Sequence, residues 1–367
     1  MLNPKRIASL SLAMVGLLAH AQILIGQTTA VTGAVAATVR ETSVGARLYI
    51  DAVNAKGGLG GERIELVTLD DKFDPKLAAT NARELIEGRK VVAMFMTRGT
   101  PHTEAIIPTL EHYGVPLIAP STGAMVLHAP IRKHVFNVRA TYQREAEKAI
   151  THLASIGITR IAILHVDDSF GQDGLAGAQK GLKAAHLAAV VVAKFDRNKP
   201  DFADIAHLPG KHQAQAVMII GSGPAVVAGL RAIKAAGARV QFVTLSNNAS
   251  DGFIQLLGED AQGVIVSQVL PKTMMYAFVK EATQLAKASQ LAELSPAMLE
   301  GFASAKVLVE ALRRSGNKPT RERIQAALEG MHKFDLGGLE ISYSPTDHTG
   351  LDFADLSIIG PTGKFRR

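Results

Sequence analysis

The segment IAILHVDDSFGQDG, residues 161–174, decides the fold class. It begins with an apolar run of strand length, 161–166, which is followed by the adjacent carboxylates Asp167 and Asp168, the ring of Phe170 and two glycines. A short, continuous apolar run of this kind is typical of a strand that is buried on both faces of a parallel sheet. For function, the question is whether Asp167 and Asp168 form an acid/base pair or the rim of a binding site.

Similar apolar runs recur along the chain, with segments of helical spacing between them. The runs lie at 23–25, 64–69, 91–95 and 115–119, and then at 161–166, 190–193, 216–220, 240–245 and 264–266. This alternation indicates parallel sheets that are covered by helices on both faces. The sequence therefore predicts an α/β protein with two Rossmann-like lobes, one for each set of strands.

The length of 367 residues also favours two lobes, because a single core seldom organises so long a chain. We place the junction near residues 136–142. After Pro271 the pattern becomes mainly helical and ends in extended segments, which we expect to return to both lobes. The predicted division gives 22–139 and 272–334 to the first lobe, and 140–271 and 335–367 to the second.

Residues 1–21 have the features of a cleaved export signal. Lys5 and Arg6 precede an apolar stretch over 7–19, and Ala19-His20-Ala21 has small residues where a signal peptidase cuts. The stretch is shorter than the roughly 18 residues that cross a bilayer. We predict a mature periplasmic chain that begins at Gln22, and a short membrane anchor is the alternative.

Charge and metal-ligand patterns exclude several classes of function. The formal net charge is +7, but the basic residues are interspersed and no basic run contains aromatic residues. No nucleic-acid partner is therefore predicted, and the densest basic cluster, 313–323, is interpreted as a solvated helix face. The histidines show no metal-ligand spacing, so neither a metal nor another cofactor is expected.

Two loops were compared with enzyme signatures. Residues 119–123, Ala-Pro-Ser-Thr-Gly, are similar to the nucleophile elbow of a hydrolase, but His128-Ala129-Pro130 interrupts the helix that an elbow requires. No Asp and His can be assigned as partners of Ser121. Residues 221–224, Gly-Ser-Gly-Pro, lack the third glycine of a dinucleotide loop and are interpreted as a turn. We predict no catalytic residue, and a hydrolase that uses Ser121 remains the alternative among enzymes.

Candidate binding residues lie where the predicted strands end. In open α/β sheets, ligands collect at the carboxyl ends of the strands, where loops and helix N-termini expose backbone N–H groups. The candidates are hydroxyl, glycine and aromatic residues: Gly99, Thr100, Ser121, Thr122, Gly123, Phe170, Ser222 and Ser246. Two lobes with such rims would form a cleft that suits a small carboxylate.

From Ile23 almost to the C-terminus, the chain resembles the type I periplasmic solute-binding proteins of the branched-chain amino-acid group. The motifs that carry this resemblance are GQTTAVTG at 26–33, AKGGLGG at 55–61, LDD at 69–71 with DP at 74–75, GVPLIAP at 114–120, VFNVR at 135–139 and DDSFG at 167–171. The resemblance implies two lobes that are linked by three strands and close on a ligand by hinge motion. It also implies an ABC importer permease as the partner.

The resemblance further implies roles for individual residues. Thr100 corresponds to the hydroxyl that holds the ligand carboxylate, Thr122 and Gly123 lie in the next contacting loop, and Phe170 occupies the position of an aromatic clamp. Ser246 stands where amino-acid binders of the family have an acidic residue for the ligand ammonium. A buried ammonium without a carboxylate loses a hydrogen bond worth about 1.5 to 3 kcal/mol. We therefore expect a ligand without an amine.

The two carboxylates of the opening segment are interpreted as structural. Neighbouring residues on an extended segment point to opposite sides, so Asp167 and Asp168 are poorly placed to act together, and one should cap the following helix. Phe170 is expected to stack on the ligand, with an ordinary core role as the alternative. The predicted function is a receptor that captures a small carboxylate, either amino-acid-like or an aromatic or aliphatic acid, and performs no chemistry. An exported ligand sensor or regulator on the same fold is the alternative.

Overall fold

The computed structural model describes residues 22–291 and 293–366. The predicted export signal lies outside these residues. Within them, no helix combines the length and the apolar character that a membrane crossing requires.

The elements alternate between strands and helices as the sequence predicts. In chain order they are β1 (Gln22–Thr29), α1 (Ala36–Ala55), β2 (Arg63–Asp70), α2 (Pro75–Arg83), β3 (Ala93–Phe95), α3 (Thr100–Tyr113), β4 (Leu117–Ile118), β5 (Val135–Phe136), α4 (Tyr142–Ser155), β6 (Ile161–Val166), α5 (Ser169–Ala184), β7 (Val191–Phe195), α6 (Leu208–Lys211), β8 (Ala216–Ile220), α7 (Gly223–Ala235), β9 (Gln241–Thr244), α8 (Asp251–Leu257), β10 (Ile265–Gln268), α9 (Ala277–Ala288), α10 (Pro296–Arg314), α11 (Arg321–Glu329), β11 (Phe334–Asp335), β12 (Glu340–Ile341), β13 (Asp355–Ile359) and β14 (Phe365–Arg366).

The first lobe is built on a parallel sheet in the order β2-β1-β3-β4-β5. Successive residues of a strand point to opposite faces, and β1 shows this directly. Ile23 and Ile25 pack in the core with α1, α9, α10 and α11. Leu24 packs against the core formed by α2 and α3. The two helical layers therefore cover both faces, as predicted.

The second lobe contains a sheet in the order β14-β13-β10-β9-β8-β6-β7. The strands from β6 to β10 are parallel, whereas β13 and β14 add an antiparallel edge that the sequence analysis did not anticipate. Every residue of β6 and β8 is buried. This explains why these central strands appear in the sequence as unbroken apolar runs.

The chain passes between the lobes three times, after β5, after β10 and before β13. The third passage lies further along than predicted. Leu336 and Ile341, on either side of the turn that joins β11 to β12, and Leu351 all pack in the core of the first lobe, while Ile359 packs in the second. The segment from 335 to 351 therefore belongs with the first lobe and not, as the predicted division had it, with the second. The apolar residues of this segment have their burial partners on the first sheet.

The opening segment has the structural role that the sequence predicts. Asp168 caps α5, because its carboxylate accepts hydrogen bonds from the N–H groups of Phe170 and Gly171. Asp167 points elsewhere and pairs with Lys194 at 2.8 Å. The glycines that follow do not break the helix. A Cβ at Gly177 would lie 2.4 Å from the backbone of α4, so the missing side chains allow α5 to pack closely.

Candidate ligand-binding site between the lobes

A small cavity lies between the lobes, at the carboxyl ends of strands from both sheets. The first lobe contributes Val35, Phe73, Arg98, Gly99 and Thr100, and the second contributes Tyr142, Phe170, Arg197, Ser222 and Asn247. The centre of a water molecule can occupy about 20 Å³ of this cavity. One or two waters would fill that space. A larger ligand can enter only if the lobes separate or the lining side chains move.

The predicted site residues divide into two groups. Gly99, Thr100, Phe170 and Ser222 line the cavity. Ser121, Thr122, Gly123 and Ser246 lie outside the lining. Thr122 is one contact away, since its Oγ1 lies 2.7 Å from the Oγ1 of Thr100.

The other residues outside the lining have structural partners. Ser121 donates to Glu300 at 2.9 Å, and Ser246 accepts from Arg139 at 2.5 Å. At Gly123 a Cβ would lie 2.5 Å from the carbonyl oxygen of Ala140, so this position has no room for a side chain. These three residues support the passage between the lobes.

Two helices begin at the cavity without a side-chain cap. Gly99 precedes α3 with a φ of 93°, and Ser222 precedes α7, but neither residue caps its helix through a side chain. The N-terminal turn of each helix therefore offers backbone N–H groups and partial positive charge to a bound group. The start of α5 differs, because the carboxylate of Asp168 already occupies it.

Aromatic rings form part of the cavity wall. Phe170 is only 5% exposed, belongs to the core of the second lobe, and lies 4.7 Å from the ring of Tyr142. Most of its ring is therefore core, and its remaining edge is at the cavity. On the opposite side, Phe73 stacks on His102 with 4.3 Å between the ring centroids.

Two guanidinium groups also line the cavity. Arg98, from the first lobe, donates to the Oγ of Ser121 at 3.2 Å and to the carbonyl oxygen of Asn247, in the second lobe, at 2.6 Å. Both acceptors are uncharged, and burial lowers the pKa of the Arg98 guanidinium. Arg197, from the second lobe, pairs through Nε with Asp168 and lies over the Phe73 ring, 5.2 Å from its centroid.

A buried ionic network lies behind the cavity, where the chain passes between the lobes. Arg139 pairs with Glu145 of the second lobe at 2.5 Å and with Glu300 of the first lobe at 3.5 Å. Burial alone lowers the pKa of Arg139, but the carboxylates of Glu300 and Glu145 raise it above its ordinary value. Glu145 also accepts from the N–H of Ser246 at 2.9 Å and from the Oγ of Ser267 at 2.5 Å.

Arg98, Arg197 and Asn247 line the cavity but are not among the site residues predicted from the sequence. The rule that ligands collect at strand ends could have indicated these residues. Arg98 immediately precedes Gly99, Arg197 follows β7, and Asn247 follows β9. The residues predicted at the strand ends were hydroxyl, glycine and aromatic residues, and no arginine was among them. Glu145 and Glu300 gave no such signal because both lie within helices.

The surroundings of Ser121 do not match those of a hydrolase nucleophile. Its hydroxyl donates to a carboxylate and accepts from Arg98, and it is 3% exposed. In the described part of the chain, no group of three or more histidine, cysteine or acidic side chains is placed to hold a metal ion.

Two α/β lobes, three passages between them and a cavity at the facing strand ends define a two-lobed binding protein. The chain belongs to the periplasmic binding protein family, whose model matches residues 22–352. Membership confirms the resemblance found in the sequence and the prediction that the protein is not an enzyme, because the family consists of solute-binding proteins. Membership also implies a periplasmic location.

Relatives and solved structures agree with this assignment. The Leu/Ile/Val/Thr-binding protein of Salmonella typhimurium is 27% identical over 241 residues, which is 65% of this chain and 66% of the relative, slightly less than two thirds of its length. A substrate-binding periplasmic protein from Ralstonia solanacearum superposes with a TM-score of 0.83 at 31% identity, covering 94% of this chain and 99% of the other. A possible leucine/isoleucine/valine-binding protein from Rhodopirellula baltica gives a TM-score of 0.85 at 27% identity, with 93% and 94% covered.

Proposed function

We propose that this protein is the solute-binding component of an ABC importer and that it captures a small carboxylate between its lobes. The observation that carries the proposal is the cavity at the facing strand ends, where Thr100 and Arg98 of one lobe meet Phe170 of the other. The liganded, closed form would then be presented to a membrane permease. The names of the amino-acid-binding relatives support a small carboxylate as the ligand class.

Thr100 and its helix suit a carboxylate. The hydroxyl of Thr100 and the uncapped first turn of α3 face the same cavity, and a helix N-terminus stabilises a nearby negative charge by about 0.3 to 1 kcal/mol. Gly99 contributes by its lack of a side chain. A Cβ there would lie 2.7 Å from the His102 ring and would narrow the approach to the helix.

Closure would couple binding to recognition by the permease. Bonds between the lobes hold the closed arrangement: besides Arg98 and Asn247, they join Ser169 to Glu104 at 2.5 Å and Thr38 to Ser250 at 2.8 Å. A ligand that contacts both lobes makes its full set of contacts only in this form. It therefore shifts the equilibrium from open to closed in proportion to its differential affinity.

The test is ligand binding together with the change in shape. A panel of small carboxylates should raise the melting temperature of the protein, and small-angle scattering should show a smaller radius of gyration with the bound compound. Thr100→Val should weaken binding roughly tenfold, because a hydrogen bond to a charged group is lost. Thr80→Val, on the exposed part of α2, is the control and should bind normally.

Two outcomes would contradict the proposal. If no small carboxylate binds, or if scattering is unchanged by a compound that does bind, the hinged receptor is wrong. The sensor alternative is separated by uptake, since deletion of the gene should abolish import of the bound compound. Unchanged import together with loss of a ligand-dependent transcriptional response would favour a sensor.

A further inference from the structure

The side chains of the cavity wall narrow the class of ligand that this receptor can bind. This inference rests on the proposed function. Among the residues that the structure describes, the wall contains two guanidinium groups, three aromatic rings, hydroxyls and backbone amides, and no carboxylate side chain. Arginine is a hydrogen-bond donor that cannot accept and stays charged at any physiological pH. The wall is therefore rich in donors and positive in charge, and it offers an ammonium group no charged partner.

The carboxylates nearest to the cavity are already used. Asp168 holds the start of α5 with one oxygen and Arg197 with the other. Glu145 and Glu300 are engaged in the network around Arg139. Freeing any of them to receive an ammonium would leave a buried arginine or a helix start without its partner, which is costly.

The hydrogen bonds of Ser246 also favour a ligand without an ammonium group, but for a different reason than its place in the sequence suggested. It lies outside the cavity lining and bonds to Arg139 and Glu145. An ammonium placed beside it would face the Arg139 guanidinium. Asn247 does have an unpaired acceptor in the described structure, its Oδ1. That oxygen is uncharged, so it can accept from a hydroxyl but cannot balance an ammonium charge.

Within the described chain, Arg98 is the guanidinium in this wall that has no direct carboxylate partner, because the charge of Glu300 reaches it only from behind the hydroxyl of Ser121. It is 5% exposed, and its partners in the described structure are a hydroxyl and a carbonyl oxygen. Burying a cation is unfavourable, and burial lowers the pKa of Arg98 even though the charge of Glu300 acts in the opposite direction. An anion that enters the cleft would supply a direct counter-charge and could accept two parallel hydrogen bonds from the guanidinium.

We propose that the physiological ligand is an organic acid without an ammonium group and that Arg98 selects it by pairing with its oxyanion. Arg98 comes from the first lobe and bonds to Asn247 of the second. It can therefore hold the ligand and contribute to closure. Selection acts in both directions, because the same charge that attracts an oxyanion repels an ammonium.

Matched pairs of compounds test the ligand class. Leucine and valine are compared by titration calorimetry with the 2-keto and 2-hydroxy acids of the same carbon skeletons, which keep the carboxylate and lose the ammonium. Phenylalanine is compared with phenylpyruvate and phenyllactate in the same way. Each acid should bind at least tenfold more tightly than its amino acid.

Variants test the role of Arg98. Arg98→Gln should weaken binding of the preferred acid at least tenfold and should remove its preference over the uncharged primary amide of the same acid. Arg231→Gln changes an exposed arginine that pairs with Asp260, and it should leave both values unchanged. Circular dichroism and the unfolding midpoint establish that each variant is folded. Equal weakening of the acid and of its amide would show that Arg98 only shapes the cleft and would overturn its assignment.

The outcomes separate this inference from the proposed function. Tight binding of the acids supports both. Equal or tighter binding of leucine, valine or phenylalanine overturns the ligand class and leaves the carboxylate receptor intact. If neither series binds, the carboxylate receptor itself is wrong, and the inference falls with it.

Discussion

Two buried arginines of this protein, Arg139 and Arg98, differ in what surrounds them. Arg139 lies where the chain passes between the lobes and has carboxylates from both lobes as partners. Arg98 lies at the front, in the cavity wall, and donates to neutral oxygens. The carboxylates raise the pKa of Arg139, whereas burial lowers that of Arg98. A buried charge with direct carboxylate partners indicates a structural joint, and one without a direct partner indicates where an outside charge can bind.

The largest expected effect comes from removing the matched charge. Arg139→Met leaves Glu145, which is completely buried, without its partner. Breaking a buried pair in this way costs about 3 to 5 kcal/mol. The free energy of unfolding in urea measures the loss.

An exposed ion pair provides the control for this variant. Arg231 pairs with Asp260 at 3.0 Å on the surface, so Arg231→Met should cost less than about 1 kcal/mol. Similar losses in the two variants would show that the network around Arg139 is no more important than a surface pair.

Asp71 is a buried carboxylate that, like Arg98, has no direct partner of opposite charge among the described residues. Its titration allows the effect of such a buried charge on stability to be measured. It is completely buried, accepts hydrogen bonds from Thr28 and from the N–H of Phe73, and has acidic neighbours in Asp70 and Asp74. Burial raises its pKa to about 6. The folded state therefore holds the proton more tightly than the unfolded state, and this stabilisation is complete below about pH 4 and is lost as the pH rises through about 6.

Asp71→Asn removes this titration while keeping an oxygen that can accept from Phe73. Between pH 4 and pH 7, the stability of the natural protein should fall relative to that of the variant, by up to about 3 kcal/mol. Unfolding curves of both proteins across this range measure the difference in the free energy of unfolding. The contributions of other titrating groups are the same in both proteins and cancel in this difference. Parallel pH profiles would mean that Asp71 is not an unmatched buried charge.

The smallest expected effect comes from Arg98 in the absence of ligand. Arg98→Met removes bonds to two uncharged oxygens but leaves no carboxylate unpaired, and it relieves the cost of burying the cation. The stability should fall by no more than about 2 kcal/mol. Urea unfolding of Arg98→Met and Arg139→Met measures the two losses in the free energy of unfolding. Equal losses would show that the two arginines do not differ in their structural role.

The sequence predicted the layered fold well, because the burial of parallel strands leaves a local signal. The run at 161–166 coincides with β6, and the capping role of Asp168 follows from one carboxylate at a helix start. The antiparallel edge of β13 and β14 was missed, and the third passage was placed too early in the chain. Their short segments have partners that are distant in the chain, so no local period indicates where they pack.

The candidate site was predicted in part, for a similar reason. Gly99, Thr100, Phe170 and Ser222, which line the cavity, could be proposed because strand ends can be located from the sequence. Arg98 and Arg197 were missed because an isolated arginine in a loop has the appearance of a solvated surface residue. Arg321 shows the same limit, since the cluster interpreted as a solvated face places its guanidinium against the carbonyl oxygens of Ile86 and Val91.

The sequence by itself determined two α/β lobes and the strand ends that face each other, because the apolar periods that encode them extend over only a few residues. It could not determine which buried charges are matched. Arg139 meets Glu300 across 161 positions of chain, and Arg98 meets Asn247 across 149. Charge pairing acts through space over a few ångströms, so only the tertiary structure decides which arginine is neutralised and which one faces the cleft.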